Sequence, residues 1–327
     1  MSKRRLLRSL FPPLFALALC ACAGTEKTPA SDEAPVPAET GEPADPAAPF
    51  VAELEKALAD GDADLAAYFA EYVLSANELK AFVEKNFPAS AAQPQTGNDA
   101  INSPAESAGE IRYTLARRLL REGRWAEARG FFPEELIPVF DAYVRAIQRG
   151  YDAELSDAER ARAFWDAALI VRSDGDALFL AAAGPVYVSG GEWAENPILR
   201  LRLSENIASE EERLRAESRD VSRFVNDRRF RAAMLAQNAA SLLPNNNERT
   251  ARLLCTAGVW LRYRDPKTAD IFYKALVIRC PHTELGKRCD ALRWFPPTLP
   301  WADEDAWDGT PAPAEKSKAS TPSESTH

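Results

Sequence analysis

The sequence predicts an all-α protein, built as an array of antiparallel helix pairs. Glycine is scarce, at 15 of 327 residues, while alanine, leucine, glutamate and arginine are abundant, and this mixture favours helix. Over most of the chain, apolar residues recur every three or four positions, which is the spacing of an amphipathic helix. Hydrophobic residues make up 46% and charged residues 27%, as is typical of a folded domain.

Three short helices are predicted in an N-terminal segment over residues 49–87. Their apolar positions have helical spacing, and the third helix must end before Pro88. These positions are Phe50, Val51, Leu54, Leu58, Leu65, Tyr68, Phe69, Tyr72, Val73, Leu79, Phe82 and Val83. Residues 88–108 are rich in Ala, Gln, Pro, Asn and Ser, and this composition predicts a linker.

A helical domain is predicted over residues 109–297. Its first helix should end at Gly123, and Trp125 should open a short partner. Pro133 and the two glutamates after it suit the first turn of the next helix, because proline has no N–H to leave unbonded and carboxylates favour the positive end of a helix. Gly150 is the expected end of that helix.

The second half of this domain should contain further capped helices. Ser156 with Glu159, and Ser209 with Glu212, have the spacing of a capping box, in which each side chain bonds the backbone N–H of the other residue. Residues 183–193 contain four Gly and Pro residues and predict a loop or a short strand pair.

A repeated spacing of small and apolar residues stands near the C-terminal end. Two segments have intervals of four, three and five residues, and each ends on a proline. They are Ala232, Ala236, Ala239 and Pro244, and Ala269, Tyr273, Leu276 and Pro281. This pattern resembles the second helix of a tetratricopeptide repeat (TPR), where small side chains let two helices approach closely. The alternative is a generic helical bundle.

Two further stretches carry the same resemblance. Residues 123–128 (GRWAEA) resemble the turn and helix start of such a repeat. Residues 280–286 and 293–296 are similar to those of uncharacterised bacterial helical-repeat proteins. The resemblance implies a TPR-like fold and no particular activity.

The N-terminus has the layout of a secretory signal peptide over residues 1–21. Lys3, Arg4, Arg5 and Arg8 precede an apolar run over residues 10–19, and small residues follow. The run is about half the ~20 residues that a membrane-spanning helix needs.

Leu19-Cys20-Ala21-Cys22 resembles a bacterial lipobox, which implies that Cys22 carries acyl chains such as palmitate. Each buried methylene contributes ~0.8 kcal/mol, so several chains anchor a domain firmly at a membrane. By family analogy, Ala23 after the cysteine favours the outer membrane. The alternative is cleavage without lipidation. Residues 22–48, acidic and rich in Pro and Ala, predict a disordered tether, and residues 298–327 predict a disordered tail.

Composition argues against several classes of function. A net charge of −9 is unfavourable for binding nucleic acid. His282 and His327 are the only histidines, and the chain has no CxxC, P-loop, GxGxxG or GxSxG motif. We therefore predict no catalytic residue, no metal site and no cofactor. The acidic runs 210–212 and 303–305 are expected to be solvated faces.

Two sets of side chains could carry binding. Nine arginines form a band that neighbouring acidic residues mostly neutralise, and we expect a surface laced with ion pairs: Arg200, Arg202, Arg213, Arg215, Arg219, Arg223, Arg228, Arg229 and Arg231. Six aromatic residues are expected in the core, with a peptide groove as the alternative: Trp165, Trp260, Tyr263, Phe272, Tyr273 and Trp294.

Three cysteines follow Cys22 in the chain. Cys280 and Cys289 flank a turn, and a disulfide between them is the preferred prediction for an oxidising compartment. The alternatives are a bond between Cys255 and Cys280, and three reduced, buried thiols.

These features together predict a periplasmic scaffold or adaptor lipoprotein, held at the membrane by lipid, that binds a protein or peptide of the cell envelope. One alternative is a cell-envelope enzyme, for instance one acting on peptidoglycan through an unrecognised carboxylate site. Another is an accessory lipoprotein of an outer-membrane assembly machine.

Overall fold

The computed structural model describes the chain in seven stretches: residues 46–88, 104–182, 186–188, 192–194, 197–204, 207–218 and 227–308. The predicted signal peptide, Cys22, the tether up to residue 45 and linker residues 89–103 lie outside the described residues. Contacts divide the chain into residues 1–48 and 49–327, and the helical fold belongs to the second unit.

The all-α prediction is confirmed. The described helices are α1 (Ala48–Asp60), α2 (Ala63–Tyr68), α3 (Ala76–Asn86), α4 (Pro104–Arg121), α5 (Trp125–Ala128), α6 (Ile137–Tyr151), α7 (Asp157–Phe179), α8 (Pro197–Ser204), α9 (Glu210–Glu217), α10 (Arg228–Leu242), α11 (Glu248–Leu261), α12 (Pro266–Arg279) and α13 (Glu284–Leu292). Short 3-10 turns cover Arg129–Phe131, Glu134–Leu136 and Glu304–Ala306, and Phe69–Val73 form a π turn. In the region predicted as a loop or strand pair, β1 (Val186–Val188) pairs antiparallel with β2 (Glu192–Ala194).

Helix α7 is the longest of the described helices and the centre of their packing. It lies against α6, α10 and α4. From α10 onward each helix packs on the next in sequence. The connections over residues 262–265 and 280–283 are short, which makes neighbouring helices antiparallel.

The repeated positions near the C-terminus are buried where α10 and α12 meet their neighbours. Ala232, Ala236, Ala239, Ala269 and Leu276 are fully buried, and Tyr273 nearly so. The turn after α12 also bonds the turn after α10: Asn246 N donates to Arg279 O at 2.9 Å, and Glu284 N donates to a Glu248 carboxylate oxygen at 2.6 Å. The predicted burial is confirmed, while the TPR assignment itself stays a prediction.

The C-terminal prediction is wrong for residues 298–308, which pack on α11 instead of being disordered. Trp260 Nε1 donates to Asp303 Oδ2 at 2.8 Å, and Trp301 Nε1 donates to Thr256 Oγ1 at 3.1 Å. The backbone oxygen of Trp307 accepts hydrogen bonds from Arg249 and Arg252, and its ring is buried. These long-range bonds satisfy the polar groups of a segment that has no regular ladder of its own. Residues 309–327 lie outside the described residues.

The π turn after α2 buries a charge that the sequence did not mark. Glu71 is 2% exposed; its Oε1 pairs with Arg121 and its Oε2 accepts from Ala182 N at 3.2 Å. Arg118 donates to the backbone oxygens of Ala70 and Leu74, at the end of the same turn. The N-terminal helices are therefore connected to α4 by a buried ion pair and by hydrogen bonds from Arg118, and to the chain just after α7 by the hydrogen bond from Ala182 N.

Several predicted helix ends need correction. Helix α4 begins at Pro104, inside the predicted linker 88–108. Helix α6 begins at Ile137, after a 3-10 turn, so that Pro133 precedes the turn and the helix. Gly150 lies inside α6, where the ring of Phe164 leaves no room for a Cβ.

The two predicted capping boxes have different outcomes. Ser156 and Glu159 bond reciprocally, as predicted. Ser209 caps α9 by accepting from Glu212 N, but the Glu212 carboxylate binds Arg202 instead of completing the box.

Candidate functional site: a cleft beside Trp125

A cleft of about 400 Å³ lies between the turn that follows α4 and one face of α6. Trp125 and Val144 contribute half-buried apolar surface, and buried Phe140 lies between them and the core. Gln148 is exposed at one end. The cleft thus combines an apolar floor with a wide opening to solvent.

The turn that forms one wall has a defined local cause. Gly123 has φ +76°, a conformation that favours glycine, and it follows the end of α4. The N–H of Arg124 bonds Leu119 O at 2.9 Å and that of Gly123 bonds Leu120 O at 3.1 Å, which is the Schellman pattern. The reversed chain then starts α5, and this places the Trp125 side chain at the cleft.

Two ion pairs line the wall on either side of Trp125. Arg124 holds Glu127 through two hydrogen bonds of 2.8 Å, and Lys80 of α3 bonds the same carboxylate at 2.7 Å. Arg129 holds Asp141 of α6 through bonds of 2.9 and 3.0 Å. Paired hydrogen bonds of this kind fix the direction of both guanidinium groups.

These pairs keep both carboxylates ionised. The hydrogen bonds from Arg124 and then Lys80 lower the pKa of Glu127 from an ordinary 4.5 to about 2. The hydrogen bond from Arg129 lowers the pKa of Asp141. A carboxylate with a lowered pKa is a poor proton donor near neutral pH, so the cleft is better suited to binding than to acid catalysis.

The predicted local ion pairs are present in part of the arginine band, since Arg215 binds Glu211 one turn earlier on α9 at 3.0 Å. Other members of the band connect different elements. Arg202 of α8 binds Glu212 of α9 at 2.6 and 2.8 Å, and Arg215 of α9 binds Glu78 of α3 at 2.9 Å. Arg231 lies over the Phe179 ring, 4.1 Å from its centroid. Arg219 and Arg223 lie outside the described residues.

The acidic runs are also partly internal. Glu212 is 4% exposed in its pair with Arg202, whereas a solvated face was predicted. Asp303 accepts the hydrogen bond from Trp260, and so it too belongs to the packing of the C-terminal segment. His282 is exposed in the turn before α13, as its neighbouring proline suggested.

Most of the six aromatic residues pack in the core. The Trp165 and Trp260 rings stack with centroids 5.6 Å apart, and Phe272 and Tyr273 are buried. Trp294 is half-buried against Tyr273, while Tyr263 is 79% exposed and does not belong to the core. The cleft residue Trp125 was predicted only as a helix start.

The predicted disulfide is not formed. Cys255, Cys280 and Cys289 are free and fully buried. The Sγ of Cys280 lies 3.8 Å from the backbone oxygen of Asn247, the residue that caps α11, while Cys255 and Cys289 are buried within α11 and α13. Cys280 precedes the turn, and Cys289 lies well into α13.

Neither a metal cluster nor a membrane span is found in the part of the chain that the structure describes. Among these residues, no three acidic, cysteine or histidine side chains are grouped as metal ligands. None of the helices described is both long and apolar enough to cross a membrane.

The chain matches no protein-family model, and neither a curated protein nor a solved structure is significantly similar to it. The candidate site is therefore identified by its geometry alone.

Proposed function

We propose that this protein is a bacterial lipoprotein, anchored through Cys22 at the periplasmic face of the outer membrane, that acts as an adaptor for another envelope protein. The cleft beside Trp125 is the observation that carries the binding part of the proposal. The lipobox-like sequence over residues 19–22 carries the anchoring part.

The partner would insert an apolar side chain against Trp125 and Val144, with its flanking backbone near the two ion pairs. Tryptophan and arginine are among the residues that most often dominate binding energy at protein interfaces, because they combine a large contact area with directed hydrogen bonds. The paired charges of both signs favour a segment with polar groups of its own on either side of the apolar residue.

Binding is tested by comparing two aromatic truncations. Trp125→Ala should lower the affinity for the partner, measured by titrated capture from detergent-solubilised envelopes, about 30-fold, which corresponds to a loss of about 2 kcal/mol. Tyr263→Ala removes an aromatic side chain that is 79% exposed and outside the cleft, so it is the matched control. Equal capture by wild type and Trp125→Ala, with both variants folded, would refute the cleft as the binding site.

Anchoring is tested separately. Cys22→Ser should lose acyl labelling and leave the membrane fraction, because the lipid is the proposed anchor. Continued labelling of Cys22→Ser, with loss of labelling in Cys20→Ser, would move the modification to Cys20. Absence of labelling in wild type would refute anchoring by lipid.

A further inference from the structure

Residues 298–308, which we call the strap, cross one face of α11. That helix presents Arg249, Arg252, Thr256 and Trp260 at intervals of three and four residues, so the four side chains share one face, which we call the strap groove. Each of the four is hydrogen-bonded to the strap. The strap is therefore seated along the groove and not attached at a single point.

The strap is held as a bound peptide would be. Arg252 Nε donates to Ala306 O at 2.8 Å, and Arg249 Nε donates to Trp307 O at 2.8 Å. The strap's own backbone hydrogen bonds lie within its turn at residues 302–306. Because helix side chains grip the backbone of the strap, its release from the groove breaks no helical backbone ladder.

Two tryptophans, six positions apart in the sequence, anchor the strap. Trp307 is 7% exposed, and its ring centroid lies 4.4 Å from Cζ of Arg249 and 5.4 Å from Cζ of Arg162. Trp301 Nε1 donates to Thr256 Oγ1 at 3.1 Å. Guanidinium groups attract aromatic faces, and buried tryptophans commonly dominate binding energy at interfaces. The groove therefore selects for two tryptophans at this spacing.

The strap and its groove also have opposite charges. The strap contains four acidic residues and no basic residue. Arg172 of α7 lies 3.9 Å from Asp303, and Arg249 lies 3.7 Å from Asp308. Helix α11 has one acidic residue, Glu248, at its first position. This complementarity favours an acidic segment over a neutral or basic one.

We propose that the strap groove binds an acidic segment of a partner protein that carries two tryptophans, and that the strap is the competitor for this site within the same chain. The partner segment would place its backbone carbonyls at Arg249 and Arg252 and its tryptophans where Trp301 and Trp307 now lie. The strap lowers the partner's apparent affinity in proportion to the fraction of molecules whose groove is open. The groove shares no residue with the cleft beside Trp125, and the inference does not rest on the proposed function.

Hydrogen exchange on the unmodified sequence tests whether a peptide displaces the strap. The full chain is labelled with ¹⁵N, and an unlabelled synthetic peptide of residues 298–308 is added in excess. The N–H groups of Asp305 and Ala306 in the chain, which are hydrogen-bonded in the strap, should exchange at least about 10-fold faster, while those of α11 keep their protection. The same peptide with alanine in place of both tryptophans should have no effect.

Binding of the fluorescein-labelled peptide, measured by anisotropy, supplies a second readout. Trp307→Ala in the full chain weakens the strap and leaves the groove intact, so it should raise the affinity for the peptide at least about 10-fold. Adding Arg252→Ala, which removes a groove side chain, should abolish the gain. Adding Arg288→Ala, an exposed arginine of α13, should preserve it and is the matched control.

Three results would overturn the proposal. The first is unchanged strap protection in the presence of saturating peptide. The second is a joint loss of protection in the strap and α11, because the strap would then be an inseparable part of the core. The third is a wild-type dimer in light scattering that exchanges straps, because the occupant would then be a second copy of this chain. If Trp307→Ala does not fold, the exchange experiment on wild type decides alone.

Discussion

Gly258 provides a sharp test of how the C-terminal segment packs. A Cβ at this position of α11 would lie 2.0 Å from Cζ of Phe295, and 2.6 and 2.7 Å from the two Cε atoms. Ordinary contact begins near 3.4 Å, so the ring must withdraw by about 1.4 Å (3.4 − 2.0). Phe295 is only 4% exposed, and therefore it cannot move without disturbing the segment that follows it.

Two opposing effects set the expected magnitude for Gly258→Ala. Alanine gains about 1 kcal/mol over glycine in a helix interior. Overpacking costs about 1–3 kcal/mol, and the upper part of that range applies because three ring atoms lie within 2.7 Å of the new carbon. We expect a net loss of about 1–2 kcal/mol in the free energy of unfolding, measured by urea denaturation.

Gly109→Ala is the matched control. Gly109 is exposed in α4, and a Cβ added there would have nothing within 4 Å, so the same substitution should stabilise by about 0.5–1 kcal/mol. Gly258→Ala with Phe295→Leu should cost at least about 1 kcal/mol less than the sum of the single changes, because leucine clears the contact. A neutral or stabilising Gly258→Ala, or an additive double variant, would refute the packing.

Three more substitutions test other parts of the fold. Glu71→Ala should cost about 3–5 kcal/mol, because it leaves the largely buried Arg121 guanidinium without its carboxylate partner. Exposed Glu53→Ala should change the free energy of unfolding by less than about 0.5 kcal/mol, and similar values for the two variants would contradict the buried pair. The pKa of Glu127 is lower in the folded chain than its ordinary 4.5, so the ionised side chain stabilises the fold above pH 4.5 and this stabilisation is lost as the pH falls towards 2. The Tm difference between wild type and Glu127→Gln should therefore vanish over that pH range, and a constant difference would count against the ion pairs. Ala236→Leu should cost about 1–3 kcal/mol by urea denaturation and exposed Ala52→Leu almost nothing, and an unchanged Ala236→Leu would refute the buried helix contact.

The features that the sequence predicted correctly depend on local signals. Apolar spacing located the three N-terminal helices, and the serine and glutamate of residues 156–159 located the start of α7. Small residues at fixed intervals marked Ala236 and Ala269 as buried positions. Each of these signals lies within one or two turns of helix, which is why periodicity and capping rules can detect it.

The C-terminal segment was missed because its stability comes from distant residues. Judged by composition alone, a segment with this many prolines and acidic residues is predicted to be disordered. Trp301 and Trp307 are anchored instead by Thr256, Arg249 and Arg252 of α11, about 45–58 residues earlier in the sequence. No local pattern encodes such bonds.

The candidate site was missed for the same reason. Arg129 and Asp141 belong to different elements, twelve residues apart, and a helical spacing rule does not pair them. Lys80 reaches Glu127 from α3, 47 residues earlier. The cleft appears only once α5 and α6 are folded together.

The cysteines illustrate that residues close together in the sequence need not be close together in the fold. Cys280 and Cys289 are nine residues apart, so a bond across the intervening turn was the preferred prediction. In the structure, Cys280 is instead directed at Asn247, the residue that caps α11, while Cys289 is buried in α13. Two packed helices bring together residues that lie at the same height along their axes, whatever the separation of those residues in the sequence.

Site-specific photocrosslinking in intact cells tests the central claim, that the cleft beside Trp125 binds an envelope protein. A photoreactive residue replaces Ala126 or Gln148, which are exposed at the cleft, or Ile278, which is exposed on α12. We expect one discrete adduct from positions 126 and 148, its loss when Trp125→Ala is added, and no such adduct from position 278. Equal crosslinking from all three positions, or an adduct that survives Trp125→Ala, would contradict binding at the cleft.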